Sequence, residues 1–215
     1  LSSFNTNKVS STSYMFYNTG YTATTWSIGD LSTWNVSNLS NAEVMFYQAG
    51  FNASSFNVGD LGKWTTTSLT NIYSMFMYAG ALSGTWYVGD LSDWDVSNVT
   101  TMHYAFAGAG NHATNFTLGD LSNWNVSNVI DMSYAFGWAG QYSTEMNIGT
   151  LAGWNTSSVT DMSGMFREAG ATVTNFTLNL AGWDVSAVTS MYEMFYNTAY
   201  TSTSFSIGNL DSWMP

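Results

Sequence analysis

The sequence predicts an α/β solenoid, a stack of about seven coils, each with two short strands and one short helix. Three observations carry that prediction. Trp34, Trp64, Trp94, Trp124, Trp154, Trp183 and Trp213 recur every 30 residues, with one step of 29 between Trp154 and Trp183. Within each period the apolar spacing changes from alternation to steps of three, which assigns different local structures to different parts of one coil. The composition, 45% hydrophobic and 17% aromatic in 215 residues, is enough for an extended core, read as a single solenoid domain over 1–215.

The stretch from Phe116 to Gly140 shows the elements in order. Phe116-Thr117-Leu118 alternates apolar and polar residues, as do Trp26-Ser27-Ile28, Phe56-Asn57-Val58, Trp86-Tyr87-Val88, Met146-Asn147-Ile148 and Phe205-Ser206-Ile207. That pattern predicts a short strand with two residues inward. Gly119-Asp120 predicts a turn, because Gly accepts positive φ and Asp hydrogen-bonds nearby backbone. The next apolar segment opens at Leu121 and carries Trp124-Asn125-Val126, read as a second strand. Val129, Met132, Ala135-Phe136 and Ala139 then fall on one face of a helix of two to three turns. Ser127 or Asn128 caps its start, and Gly140 ends it, as Gly20, Gly50, Gly80, Gly110 and Gly170 do in their coils.

One coil is too small to bury its own apolar face, so stability is expected from stacking. Like positions then form columns: Trp, Val36-type, and the pairs Met15-Phe16, Met45-Phe46, Met75-Phe76, Met165-Phe166 and Met194-Phe195. Ala105 and Ala135 replace Met in two coils. Trp138 either fills the volume lost there or lies at the surface.

The strings Trp94-Asp95-Val96-Ser97-Asn98-Val99-Thr100 and Val159-Thr160-Asp161-Met162-Ser163-Gly164-Met165-Phe166 resemble the repeat of BspA-like leucine-rich-repeat surface proteins. The likeness runs through every coil, although the family repeat is shorter than 30 residues. It implies a right-handed, leucine-rich-repeat-like coil stack, exported and displayed on cells, with a role in adhesion. It implies no enzymatic activity and carries over no particular binding residue.

Composition narrows the partners. Three Lys and Arg against fourteen Asp and Glu give a net charge of −11, which disfavours nucleic acid and anionic lipid. Without cysteine there is no disulfide, thiolate zinc site or thiol chemistry. No apolar run is long enough to span a bilayer. The chain lacks an initiator Met and a signal peptide, and is expected to be processed or part of something longer.

Among candidate sites, Asp30, Asp60, Asp90 and Asp120 occupy one corner of successive coils. Either each closes its own turn or together they attract Ca²⁺, an oxygen-seeking cation; Thr150 and Asn209 at the same corner favour the turn. Asn35, Asn38, Asn52, Asn98, Asn115, Asn125, Asn155 and Asn175 head glycosylation sequons. Tyr14, Tyr104 and Tyr134 share one outward position, and Tyr17, Tyr47 and Tyr196 another; such rings bind proteins or sugars, or fill gaps between coils. His103 and His112 lack a second ligand at metal spacing, and no Ser or Thr shows a positioned base, so no catalytic group is assigned.

Leu1 aligns with Leu31, and Leu210 to Pro215 with Leu1 to Thr6. Neither end reads as a complete cap, which leaves two expectations: caps lying outside the chain, or head-to-tail self-association through Leu1, Phe4, Leu210 and Trp213. The sequence is thus read as an extracellular, non-enzymatic structural or adhesive repeat protein. Its partner is a second copy of itself, or a cell-surface protein or carbohydrate bound as a receptor would bind it.

Overall fold

The computed structural model describes residues 1–213, so Met214 and Pro215, the last two of the expected domain, lie outside the described residues. Successive coils stack into a solenoid-like array around one contiguous apolar core. Among the described residues there are six three-residue strands: β1 Ser55–Asn57, β2 Thr85–Tyr87, β3 Asn115–Thr117, β4 Glu145–Asn147, β5 Asn175–Thr177 and β6 Ser204–Ser206. They pair in parallel as β1/β2, β3/β4 and β5/β6, with Phe56 facing Trp86, Phe116 facing Met146 and Phe176 facing Phe205. The alternating triplets thus form the expected strands, displaced one residue toward the N-terminus. Trp26-Ser27-Ile28 is the exception and belongs to no strand.

The columns run through the core. Trp rings from Trp34 to Trp213 stack nearly parallel at 6.0–6.5 Å between centroids. Phe rings from Phe16 to Phe195 do so at 5.2–5.9 Å. From Trp34 to Trp183 each indole N–H of this column donates to a Leu carbonyl of the preceding coil, as Trp94 does to Leu61 and Trp124 to Leu91, both at 2.8 Å, whereas that of Trp213 has no acceptor among the described residues. The same Leu91 carbonyl also accepts the backbone N–H of Trp94 at 3.0 Å. Where one coil is a residue short, Asn179 alone, at φ 45°, turns the corner, and Trp183 still reaches Leu151 O at 2.8 Å.

Two expected elements are corrected. The second strand over Trp124-Asn125-Val126 is absent. Leu121–Asn123 form a 3₁₀ turn capped by Asp120, and Trp124 is extended but belongs to no strand. There the coils are tied largely by side chains, as when Asn98 Nδ2 donates to Thr67 O and Asn128 Nδ2 to Ser97 O.

The expected helix over Val129 to Ala139 is also absent, and the described residues contain no α-helix at all. In its place runs a series of overlapping β-turns, closed by Ala135 N to Met132 O, Gly137 N to Tyr134 O and Ala139 N to Phe136 O. The intervening residues donate to the next coil: Met132 to Asp161 O, Tyr134 to Ser163 O, Phe136 to Met165 O and Trp138 to Arg167 O. An α-helix would commit those N–H groups to its own carbonyls and leave nothing to join the coils. The turn run needs left-handed residues at Tyr134, Trp138 and Gly140, with φ of 54°, 56° and 49°. Such a conformation costs a non-glycine residue about 1–2 kcal/mol, offset here by the bonds between coils. From Gly140 the direction reverses, and its N–H donates back to Ala109 O. Val129, Met132, Ala135, Phe136 and Ala139 are all buried, so the inward positions are those expected while the backbone that presents them is not helical.

Replacing Trp124 with Ala is expected to cost about 3–5 kcal/mol, measured by urea denaturation. Trp124→Phe keeps the stacking but removes the indole donor, and should cost roughly 1–2 kcal/mol.

Candidate functional site

At the Asp corner, Asp30, Asp60, Asp90 and Asp120 each accept the backbone N–H two residues on, at 2.8–3.1 Å. Each carboxylate also sits against the glycine of the next coil: a Cβ on Gly119 would lie 1.8 Å from Asp90 Oδ1, and one on Gly149 2.0 Å from Asp120 Oδ1. The Gly-Asp pair therefore serves two coils at once. Lys63 Nζ lies 3.8 Å from Asp60 Oδ2. Among the described residues no three Asp, Glu or His side chains converge on a point where a metal ion could be held.

The sequon asparagines divide by what their side chains do. Asn38 and Asn98 donate Nδ2 to the preceding coil, to Asn7 O and Thr67 O, using the nitrogen a glycan would need. Asn35, Asn125 and Asn155 accept the N–H of the serine two residues on. Asn115 and Asn175 are exposed on β3 and β5, whereas Asn52 is half-buried in the turn run.

Among the self-association candidates, Leu1 and Phe4 are exposed, and Leu210 is half-buried. Trp213 stacks on Trp183 at 6.3 Å. Phe4, Val9, Met15 and Trp34 line a hollow of about 590 Å³ on the first coil.

The turn run carries the most developed surface. Its outward residues form a row of rings along the stack. Tyr17 stacks on Tyr47 at 5.1 Å, Tyr104 on Tyr134 at 4.9 Å, and Tyr134 on Trp138 at 5.6 Å. Trp138 is therefore a surface residue and does not fill the space beside Ala135. The Arg167 guanidinium continues the row, 5.5 Å from the Trp138 ring and 4.4 Å from that of Tyr196. Glu168 and Glu193 pair with it. Glycines make room for the rings: a Cβ on Gly164 would lie 2.1 Å from the Tyr134 ring, and one on Gly108 2.2 Å from Tyr78. Burial raises the phenol pKa of Tyr47, Tyr78 and Tyr104, helped by neighbouring tyrosines, so these rings stay neutral.

Sequence reasoning missed one cluster here. His103 Nδ1 meets Ser133 Oγ, and Ser133 donates to Asp131 Oδ1, while Asp131 Oδ2 stands 3.6 Å from the same Nδ1. The signal was available, because His103 and Ser133 share a column 30 residues apart. A relay of the Ser-His-Asp type needs serine and carboxylate on opposite ring nitrogens. Here both approach Nδ1, and Ser133 is buried, so the cluster locks adjacent coils together. His112 is exposed beside Tyr142, at 4.7 Å between rings.

Burial acts to raise the Asp131 carboxyl pKa, but hydrogen bonds from His103 and Ser133 outweigh it and hold it below the ordinary 3.8. Serine hydrogen bonds likewise lower Asp30, Asp95 and Asp184. A depressed native pKa contributes stability that is present above the unfolded value and lost as pH falls through the native one. Melting temperature is therefore expected to fall as pH drops below about 4, and Asp131→Asn should flatten the fall. A chelator should leave the melting temperature unchanged at neutral pH; a rise with added Ca²⁺ that vanishes in Asp60→Asn would assign the cation role to the corner.

A family described as "Mycoplasma protein of unknown function, DUF285" matches the chain over residues 1–113, 51–148 and 110–213. No curated protein and no solved structure matches it.

Proposed function

The chain belongs to the DUF285 family, whose description assigns no function, and on that premise we propose that it is a non-catalytic adhesive repeat module, displayed outside the cell, that binds a cell-surface protein through the aromatic face of its turn run. The observation that carries this reading is the row of outward rings, held in register by coil stacking. Tyr14, Tyr17 and Tyr73 expose 54%, 45% and 37% of their surface on that one face. Rings fixed in this way offer large contact area at low entropic cost, with a hydroxyl at the rim. The resemblance to BspA-like repeats supports surface display and adhesion. A protein is favoured over a sugar because the groove on this face is lined by tyrosines, Val44 and Met77, with Ser74 the one other polar side chain. End-to-end stacking through Leu1, Phe4, Leu210 and Trp213 is the structural form of the same proposal, and it leaves the turn face free.

Beads coated with the protein are expected to adhere to cultured cell monolayers. Adhesion should fall at least about fivefold when Tyr14, Tyr73 and Tyr104 are changed to Ser, given hot-spot losses of roughly 1 kcal/mol or more. Tyr87→Ser, on the strand side, should have no effect. Adhesion that survives protease treatment of the cells but not glycosidase treatment would replace protein with carbohydrate, and beads that never adhere would overturn the reading.

A further inference from the structure

Resting on the aromatic-face reading, the geometry points to a ligand class: we propose that the groove between Tyr17, Tyr47, Tyr73 and Tyr104 takes an arginine side chain of a basic peptide. The groove has a volume of about 390 Å³, and Val44 and Met77 contribute to its lining, which contains no cationic side chain.

The chain supplies its own precedent. Arg167 occupies the column of Tyr17, Tyr47 and Met77, at successive steps of 30 residues. There its guanidinium lies between the rings of Trp138 and Tyr196, at 5.5 and 4.4 Å, with Glu168 and Glu193 completing its charge. The same face thus holds a guanidinium at one end of the stack and presents a ring-lined groove, without one, at the other. Guanidinium suits such a site better than ammonium because it is planar, weakly hydrated and stacks on ring faces.

Charge complementarity supports a basic partner. The protein carries −11 with three Lys and Arg in all. Glu43 stands in the column of Tyr73, one coil earlier, with Oε2 3.3 Å from Asn71 Nδ2. From Tyr14 to Tyr104 the face crosses four coils, a rise of roughly 15 Å at strand spacing. That matches about four or five extended residues, so a short peptide segment fills it.

The test is calorimetric titration with acetylated hexa-arginine and hexa-lysine of equal charge, at low and physiological salt. Arginine is expected to bind about tenfold more tightly than lysine, and Tyr17→Leu with Tyr47→Leu should erase that preference. Both positions are partly exposed and Leu preserves bulk; circular dichroism confirms folding. Asp90→Asn, away from the groove, should change affinity less than about twofold. Equal affinity for the two peptides, or a preference that survives the Tyr changes, would overturn the proposal as general charge attraction. No hexa-arginine binding, while cell adhesion persists and depends on the tyrosines, would overturn the ligand class and keep the face. Loss of adhesion as well would overturn both. Self-association abolished by the Tyr changes would assign the groove to a second copy and overturn the peptide.

Discussion

One carbonyl per coil organises the stack. Leu91 O, with two acceptor lone pairs, receives the backbone N–H of Trp94 in its own coil and the indole N–H of Trp124 in the next. The first bond closes a local turn, and the second fixes where the following Trp ring lies. The contact recurs from Leu1 with Trp34 to Leu151 with Trp183. A buried indole N–H without a partner carries a desolvation cost, so slippage between coils is penalised at each of these rings. The short coil shows how strong this constraint is: the missing residue is absorbed at the Asn179 corner, while Trp183 keeps both its ring stacking and its bond.

Register at the core determines what the surface can be. Because coils repeat in step, every outward position becomes a row, and the chemistry of a row is set by which residues recur in it. The Asp corner is a row of self-contained turns, each seated on the glycine of the next coil. The turn face is a row of rings, interrupted by glycines on which neighbouring rings lie and continued by Arg167 between Trp138 and Tyr196. Only the second leaves substantial apolar area directed at solvent without a use inside the fold.

Much of this was legible in the sequence, and the reasons are specific. The Trp, Phe and Met columns followed from a 30-residue period, because identical residues at one period have to stack; burial bears them out within the stack, whereas Met15 on the first coil is 41% exposed. The Asp turn followed from Gly-Asp chemistry, since an Asx hydrogen bond is local. The helix did not follow. Apolar steps of three, three, one and three fit a run of overlapping turns as well as a helix, and the feature separating them is positive φ at Tyr134, Trp138 and their equivalents. Tyr, Trp, Val and Gln do not advertise that conformation as glycine does. The His103, Ser133 and Asp131 cluster was missed for a different reason: Ser133 and Asp131 are sequence neighbours, but His103 is 30 residues from Ser133 and meets them only when coils are overlaid.

By itself, then, the sequence determined the repeat, the inward residues, the turn corners and the absence of any thiol or strongly basic surface. Those properties depend on residue identity at a fixed period. Tertiary structure decided the backbone of the turn run, the side of the stack on which the rings gather, and the placing of Arg167 between Trp138 and Tyr196. Each of these depends on hydrogen bonds and contacts between coils, and a backbone N–H that donates to the next coil in place of its own turn leaves no trace in local sequence.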